Sequence, residues 1–312
     1  MGKLGETSYQ DYKRALLQRF RQYRQQHWPI EDDLFDPQHA HVFKADLAFC
    51  NLFSWNLDRL LPRGHHTWLP DMGSSQALAV SILGTMLKRG NLELLAQVPD
   101  DQGQPLLAGF VLAGPPQFEY TVSALHERKR TQVDLFLPGQ QGHVAIECKF
   151  WEQQLAPCAQ VAARRCNGHY APQPGRAPGQ RCALTERKVA YWTYIPQLFR
   201  WRADEDYVPC PLQEPYQLVR NVLAAAVEPA TRQVWGQPVA VLLYDARNPM
   251  FHPGGRVEVQ FQAVRSALQG PAAFRRATWQ ALAQVLAKQG RYEDLLAWLR
   301  EKYGLLPADA AA

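Results

Sequence analysis

Three residues in one short stretch carry the chemistry that this sequence offers: Asp134, Glu147 and Lys149. Twelve residues separate the two acids, and Lys149 stands two places after the second. Between them, Pro138-Gly139-Gln140-Gln141-Gly142 reads as a turn joining two strands, expected over Thr131–Leu137 and Gly142–Phe150. A turn centred on Gln140-Gln141 sets Asp134 directly opposite Glu147, with Cβ atoms about 5 Å apart. Alternation along a strand puts Lys149 on the face of Glu147 and turns Cys148 to the other face, toward the core. The flanking residues are apolar: Val133, Leu135 and Phe136 on one strand, Val144, Ala145 and Ile146 on the other. Charges in such strands are costly unless they pair or bind a metal. Two carboxylates and the main-chain carbonyl of Cys148 make a hard oxygen set suited to Mg²⁺, with Mn²⁺ able to substitute. Such an ion activates water and offsets charge building on a phosphate. Lys149 can orient or deprotonate that water, or neutralise the developing charge. The competing reading is a surface hairpin with a cross-strand ion pair; the uninterrupted Val144-Ala145-Ile146 before Glu147 argues against it.

The elements that must position these residues can be read on either side. Ser74-Ser75 starts a helix expected over Gln76–Arg89, and Gln117–Val122 is a strand candidate. Beyond the hairpin, Leu155–Gly179 is rich in Pro, Gly, Arg and Cys and reads as an irregular insert around a short helix. Pro215–Val227 then reads as a helix, and Gln237–Asp245 as a buried strand on its run Val239-Ala240-Val241-Leu242-Leu243. A basic helix over Tyr9–Trp28 and an apolar stretch over Ala45–Leu61 precede this core. Helices expected over Val257–Leu268, Pro271–Gln289 and Tyr292–Tyr303 follow it, with a frayed tail at Ala308–Ala312. The pattern is α/β around one small mixed sheet. It divides into an N-terminal helical extension (1–70) packed on the core, a core (71–250) with its irregular insert near 155–182, and a C-terminal helical region (251–312).

Composition sets the outer bounds. Of 312 residues, 46% are hydrophobic and 20% charged, which excludes a disordered chain. No run approaches the roughly 18 apolar residues of a membrane helix, and the charged N-terminus lacks a signal-peptide core. A cytoplasmic protein without membrane contact is expected. The net charge of +5 permits a nucleic-acid partner without demanding one. The phosphate-loop, nucleophile-elbow, zinc-protease and dinucleotide motifs are all absent from the sequence.

Asp134 followed by Glu147-Cys148-Lys149, in a strand-turn-strand setting, resembles the PD-(D/E)XK, or restriction-endonuclease-like, nucleases. The likeness spans roughly Ser74–Asp245, and the segments Arg130-Thr131-Gln132-Val133-Asp134 and Ile146-Glu147-Cys148-Lys149-Phe150 look like a branch of mostly uncharacterised members. Val133 stands where the family pattern has proline. The resemblance implies an α-β-β-β-α-β core around a mixed central sheet, with helical additions at both ends. It further implies that Asp134, Glu147 and the Cys148 carbonyl hold the metal while Lys149 serves the water. The activity implied is metal-dependent hydrolysis of phosphodiester bonds in DNA, with RNA as an alternative substrate. An endonuclease in restriction or phage defence, working as a homodimer, fits that picture. The alternative is a non-catalytic nucleic-acid-binding module on the same fold.

Further candidates carry a functional and a plain structural reading each. Glu119 and Gln76 occupy positions where such nucleases add an acid or amide to the site; a solvated acid and an exposed residue beside an N-cap are the plain readings. Glu127, in the charged stretch His126–Arg130, reads better as a surface acid. Arg220 could clamp a phosphate, and Arg128-Lys129-Arg130 abuts the catalytic strand as a candidate nucleic-acid contact. Arg164, Arg165, Arg176, Arg181 and Arg187 follow, interleaved with aromatics, of which Tyr191, Trp192 and Tyr194 read as core. Cys158, Cys166, Cys182 and Cys210 have long, irregular gaps and no C-x-x-C; buried free thiols are favoured over a metal or iron–sulfur site. His39, His41, His65 and His66 read as surface residues. Trp279, Leu295 and Trp298 read as core rather than a dimer face.

Overall fold

Helix α1 (Tyr9–His27) opens the chain, its start capped by Ser8, whose Oγ accepts the Asp11 amide. It buries Tyr12, Leu16, Phe20 and Tyr23, the spacing of one helical face. The apolar stretch that follows folds as two short 3-10 helices, Ala45–Asn51 and Trp55–Leu60. Helix α2 (Ser75–Lys88) is buried almost all round and leads to the sheet. The strands are β1 (Gln117–Thr121), β2 (Gln132–Leu137) and β3 (Val144–Cys148). Short helices α3 (Ala159–Ala162) and α4 (Ala183–Glu186) lie in the irregular insert, before α5 (Tyr191–Leu198) and α6 (Tyr216–Ala226). The chain continues through β4 (Val239–Tyr244), α7 (Arg256–Ala267), β5 (Ala273–Thr278), α8 (Trp279–Ala287) and α9 (Glu293–Tyr303). This computed structural model describes residues 8–62, 68–127, 132–173, 175–270 and 272–306. The expected fray at Ala308–Ala312 and the basic run Arg128-Lys129-Arg130 lie outside the described residues, as do His65 and His66.

The five strands form one sheet in sequence order. β1, β2 and β3 pair antiparallel, whereas β4 joins β3, and β5 joins β4, in parallel. The helix–three-strand–helix–strand core expected from the sequence is present, and the fold is of restriction-endonuclease-like type. Helices α1, α2, α8 and α9 cover one face of the sheet. Helices α5, α6 and α7 cover the other, so the parallel strands are buried on both sides.

One expectation fails. Pro271–Gln289 is not a single helix: Ala273–Thr278 is the fifth strand, and the helix begins at Trp279. Only Phe274 and Ala277 of this strand are fully buried, so no period-2 pattern is visible. Its two arginines are held by tertiary partners. Arg275 donates to the Pro105 and Leu106 carbonyls. Arg276 pairs with Asp101 at 2.9 Å and with Glu258.

Candidate active site

The hairpin register is the one expected. Leu135 pairs with Ile146, Phe136 with Ala145 and Leu137 with Val144, a frame whose next step sets Asp134 against Glu147. The β1–β2 register, Phe118 to Leu135 and Tyr120 to Val133, likewise sets Glu119 against Asp134. Glu119, Asp134 and Glu147 therefore stand in one row across three adjacent strands. Ladder pairing lapses at this row: neither the 119–134 nor the 134–147 pair is formed. Glu119 has φ of 50°, left-handed for a residue with a Cβ. Side-chain alternation breaks here too. Phe118 and Leu135 pack on the α1–α2 side, while Tyr120 and Val133, two places away along each strand, pack on the α6 side. In place of a ladder bond, the Asp134 carboxylate accepts the Cys148 amide at 2.6 Å. The N–H and C=O of a strand residue leave on the same edge, so the Cys148 carbonyl faces the Asp134 side as well.

Glu147 is held from several directions. Lys149 Nζ lies 2.6 Å from its Oε1. Gln217 Nε2 donates to Oε1 at 2.5 Å and Asn221 Nδ2 to Oε2 at 2.7 Å. Arg220 stands 3.8 Å from Oε2 and donates to the Gln132 carbonyl at 3.1 Å. These three α6 residues are buried or half-buried, and Gln217 and Asn221, four apart, share a helix face. Burial works against the Glu147 charge, yet Lys149, Arg220 and Asn221 hold its pKa below the usual carboxylate value.

The rest of the row behaves differently. Burial pushes the Asp134 carboxyl well above its usual value, and the charges of Glu147 and Glu119 push it further. Burial raises Glu119 to about 7, against a hydrogen bond with the Gln76 side chain. Gln76 reaches the row from the first turn of α2, whose N-cap Ser74 accepts the Ala77 amide at 3.2 Å. Lys149 is opposed by burial, but Glu147, Glu152 and Asp134 keep its pKa above the usual lysine value. Its backbone is fixed as well. The Lys149 amide donates to the Leu243 carbonyl at 2.8 Å, and Trp279 Nε1 donates to the Lys149 carbonyl at 2.9 Å.

A cleft of about 790 Å³ opens over this row, lined by Gln76, Glu119, Asp134, Lys149 and Gln217 among others. Its far wall comes from segments that sequence reasoning left out: Tyr9 and Lys13 of α1, Asp71, Trp151 and Glu152. Tyr9 donates to the Trp151 carbonyl at 2.6 Å. Gly73 is required where Trp151 crosses it, because a Cβ there would lie 2.1 Å from the indole. A readable signal existed for Asn221, an amide inside the apolar run Leu218–Ala226. Tyr9 and Lys13 left none.

The remaining candidates fall elsewhere. Arg220 is absent from the cleft lining and supports Glu147 from behind. Glu127 is no surface acid: it accepts hydroxyls from Tyr191, at 2.6 Å, and from Tyr216. Tyr191, Trp192 and Tyr194 are core, as expected. So are Trp279 and Leu295, with Trp298 partly buried beside them. His39 is exposed, whereas His41 packs edge-on to Trp151.

Among the described residues, no three Asp, Glu, His or Cys side chains stand assembled as a ready metal-binding group. The donor chemistry of the row nevertheless fits a hard cation. It sets three carboxylates in one row across adjacent strands with the Cys148 carbonyl on the Asp134 side, and burial pushes the Glu119 and Asp134 pKa values up. No helix among the described residues is long and apolar enough to cross a membrane.

Compared with known proteins, residues 13–304 match the family model described as "Restriction Endonuclease associating with ARP". No curated protein and no solved structure matches the chain. The match covers nearly the whole of the 312 residues, and the chain belongs to that restriction-endonuclease family.

Proposed function

We propose that this family member is a metal-dependent nuclease of the PD-(D/E)XK type, cutting phosphodiester bonds of DNA as an endonuclease in restriction or phage defence. The observation that carries the reading is the acid row Glu119–Asp134–Glu147 across three adjacent strands, of which Glu119 and Asp134, with Lys149, line one cleft. Asp134, Glu147 and the Cys148 carbonyl are the residues to hold Mg²⁺ or Mn²⁺, with Glu119 and Gln76 as further donors. The ion, when bound, supplies Lewis-acid stabilisation of charge on the phosphate and a more acidic water.

The chain's own groups divide the remaining work. Lys149, 2.6 Å from Glu147 and lining the cleft, supplies a positive charge and hydrogen-bond donor toward the scissile phosphate. Gln217 and Asn221 fix the Glu147 carboxylate in one orientation, the role of outer partners in a metal site. Lys13 and Tyr9 on the far wall suit contact with the sugar-phosphate backbone.

The test is cleavage of supercoiled, linear and single-stranded DNA, and of RNA, with Mg²⁺, Mn²⁺ or EDTA. The partner named in the family's description, ARP, is added in a parallel series. Metal-dependent cutting that falls by at least about 10²-fold in Asp134→Ala and Lys149→Ala is expected. Wild-type cutting rates in Asp134→Ala would sink the reading. Tight DNA binding without cutting, with or without ARP, would favour a binding module instead.

A further inference from the structure

Four of the six cysteines, scattered over the irregular insert and the segment before α6, converge on one place in the fold. Cys158, Cys166, Cys182 and Cys210 all line a single small cavity. Its volume is about 10 Å³, room for one ion or water molecule. The lining is almost wholly apolar, so the thiols are its main donors.

The backbone is laced to bring them there. The Cys158 amide donates to the Gln213 carbonyl at 2.9 Å, and the Cys210 amide to the Gly168 carbonyl at 2.7 Å. Tyr170 and Tyr207 exchange amide bonds beside them at 2.9 and 2.8 Å. Main-chain bonds thereby fix three cysteine-bearing loops against one another. Around Cys166 the polar groups turn to the sulfur: the Gly168 amide donates to Sγ at 3.4 Å, with Gly168 at φ of 85°, and Gln173 Nε2 lies 3.9 Å from it. Arg164, Arg165 and Arg187 line the adjoining surface with Cys166 and would offset the excess negative charge of four thiolates around a divalent ion.

We infer that Cys158, Cys166, Cys182 and Cys210 form a tetrathiolate centre for a single thiophilic metal ion, zinc, that clamps the insert onto the nuclease core. Zinc takes four thiolates in tetrahedral closed sites of this kind. Among the described residues the four sulfurs do not share ligand distance of one point, so ion binding draws them together. The inference is independent of the cleavage chemistry, since none of the four cysteines lines the cleft.

The test is metal analysis of the full chain, purified under reductant from zinc- and iron-supplemented cultures, after exchange into EDTA-washed buffer. About one zinc per chain is expected. It should persist in Asp134→Ala and Cys50→Ser and be lost in Cys166→Ser and Cys182→Ser. Added Co²⁺ should give thiolate charge-transfer absorption in the zinc-stripped wild type. Because a cysteine variant can fail to fold, alkylation mapping of the wild type provides a second arm. Cys158, Cys166 and Cys210 should become alkylated only after a strong chelator removes the ion. Wild-type protein that holds no zinc and takes up neither added Zn²⁺ nor Co²⁺ overturns the proposal. Iron with acid-labile sulfide overturns the single-ion centre.

Discussion

At Glu119 the chain accepts a left-handed backbone, φ 50°, that costs a residue with a Cβ roughly 1–3 kcal/mol. The return is an acid aimed into the same row as Asp134 and Glu147. The folded pKa of Glu119, about 7, lies above the usual 4.5, so folding favours the protonated form. That stabilisation is full below about pH 4.5 and is lost as the pH rises through 7, by up to about 3 kcal/mol. In EDTA, the stability difference between wild type and Glu119→Gln should shift against wild type between pH 5 and pH 8. Urea denaturation at the two pH values checks this, and an unchanged difference would remove Glu119 from the row. Lys149 is the other residue whose loss is felt twice. Removing it strips a buried carboxylate of its nearest cation, so Lys149→Ala should lose about 3–5 kcal/mol of stability as well as activity. Thermal and urea melts of that variant beside Lys149→Arg, which keeps the charge, separate the two effects.

Helix α6 supports Glu147 through Gln217, which lines the cleft, and Asn221, which does not. Asn221 lies 1% exposed with its amide on Glu147 Oε2. Asn221→Ala should leave the fold intact and lower metal affinity or turnover by roughly 10- to 100-fold, the usual cost of an outer partner. Isothermal titration with Mn²⁺ and single-turnover cleavage would measure it, and a wild-type titration would show that Glu147 needs no such support. Strand β5 is tied to its surroundings by charge rather than by apolar alternation. Arg276 bridges Asp101 and Glu258 and lies over the Tyr244 and Phe261 rings. A double-mutant cycle on Arg276→Ala and Asp101→Ala should therefore be non-additive by about 0.5–3 kcal/mol. Simple additivity would demote the pair to a surface contact.

Over the whole molecule, the first helix is part of the core rather than an appendage. Tyr12 Oη donates within reach of both the Phe150 carbonyl, 3.0 Å, and Asp245 Oδ2, 2.9 Å. It thus joins the end of β3 to the end of β4. Asp245 in turn holds Arg247, which reaches the Tyr303 and Gly304 carbonyls at the end of α9. Helix α1 and the end of α9 are thereby fastened to the segment just past β3, beside Lys149. Tyr12→Phe should cost about 1–3 kcal/mol and still unfold in one transition, because α1, α9 and the sheet share one apolar layer. Two resolved transitions in calorimetry would show the N-terminal helix folding by itself.

The amino-acid order by itself determined the hairpin. The apolar runs around Asp134 and Glu147, and the Pro-Gly turn between them, leave one register that buries both strands. The side-chain period of two then places Lys149 with Glu147 and Cys148 in the core. Helix α1 was legible from its apolar spacing and α2 from its Ser74-Ser75 start, both local signals. What only the tertiary structure decided is every arrangement made between distant segments. Strand β5 reads locally as the start of the helix expected over Pro271–Gln289, and its arginines become satisfied only when Asp101, Glu258 and the Pro105 carbonyl arrive. Glu119 belongs to the row through pairing of β1 with β2, Glu127 is claimed by two tyrosines far along the chain, and α1 supplies a cleft wall. The four cysteines come to line one cavity through hydrogen bonds and packing between loops that long gaps separate in sequence. Spacing encodes geometry within an element; contacts across elements depend on loop closure and packing, which no local pattern records.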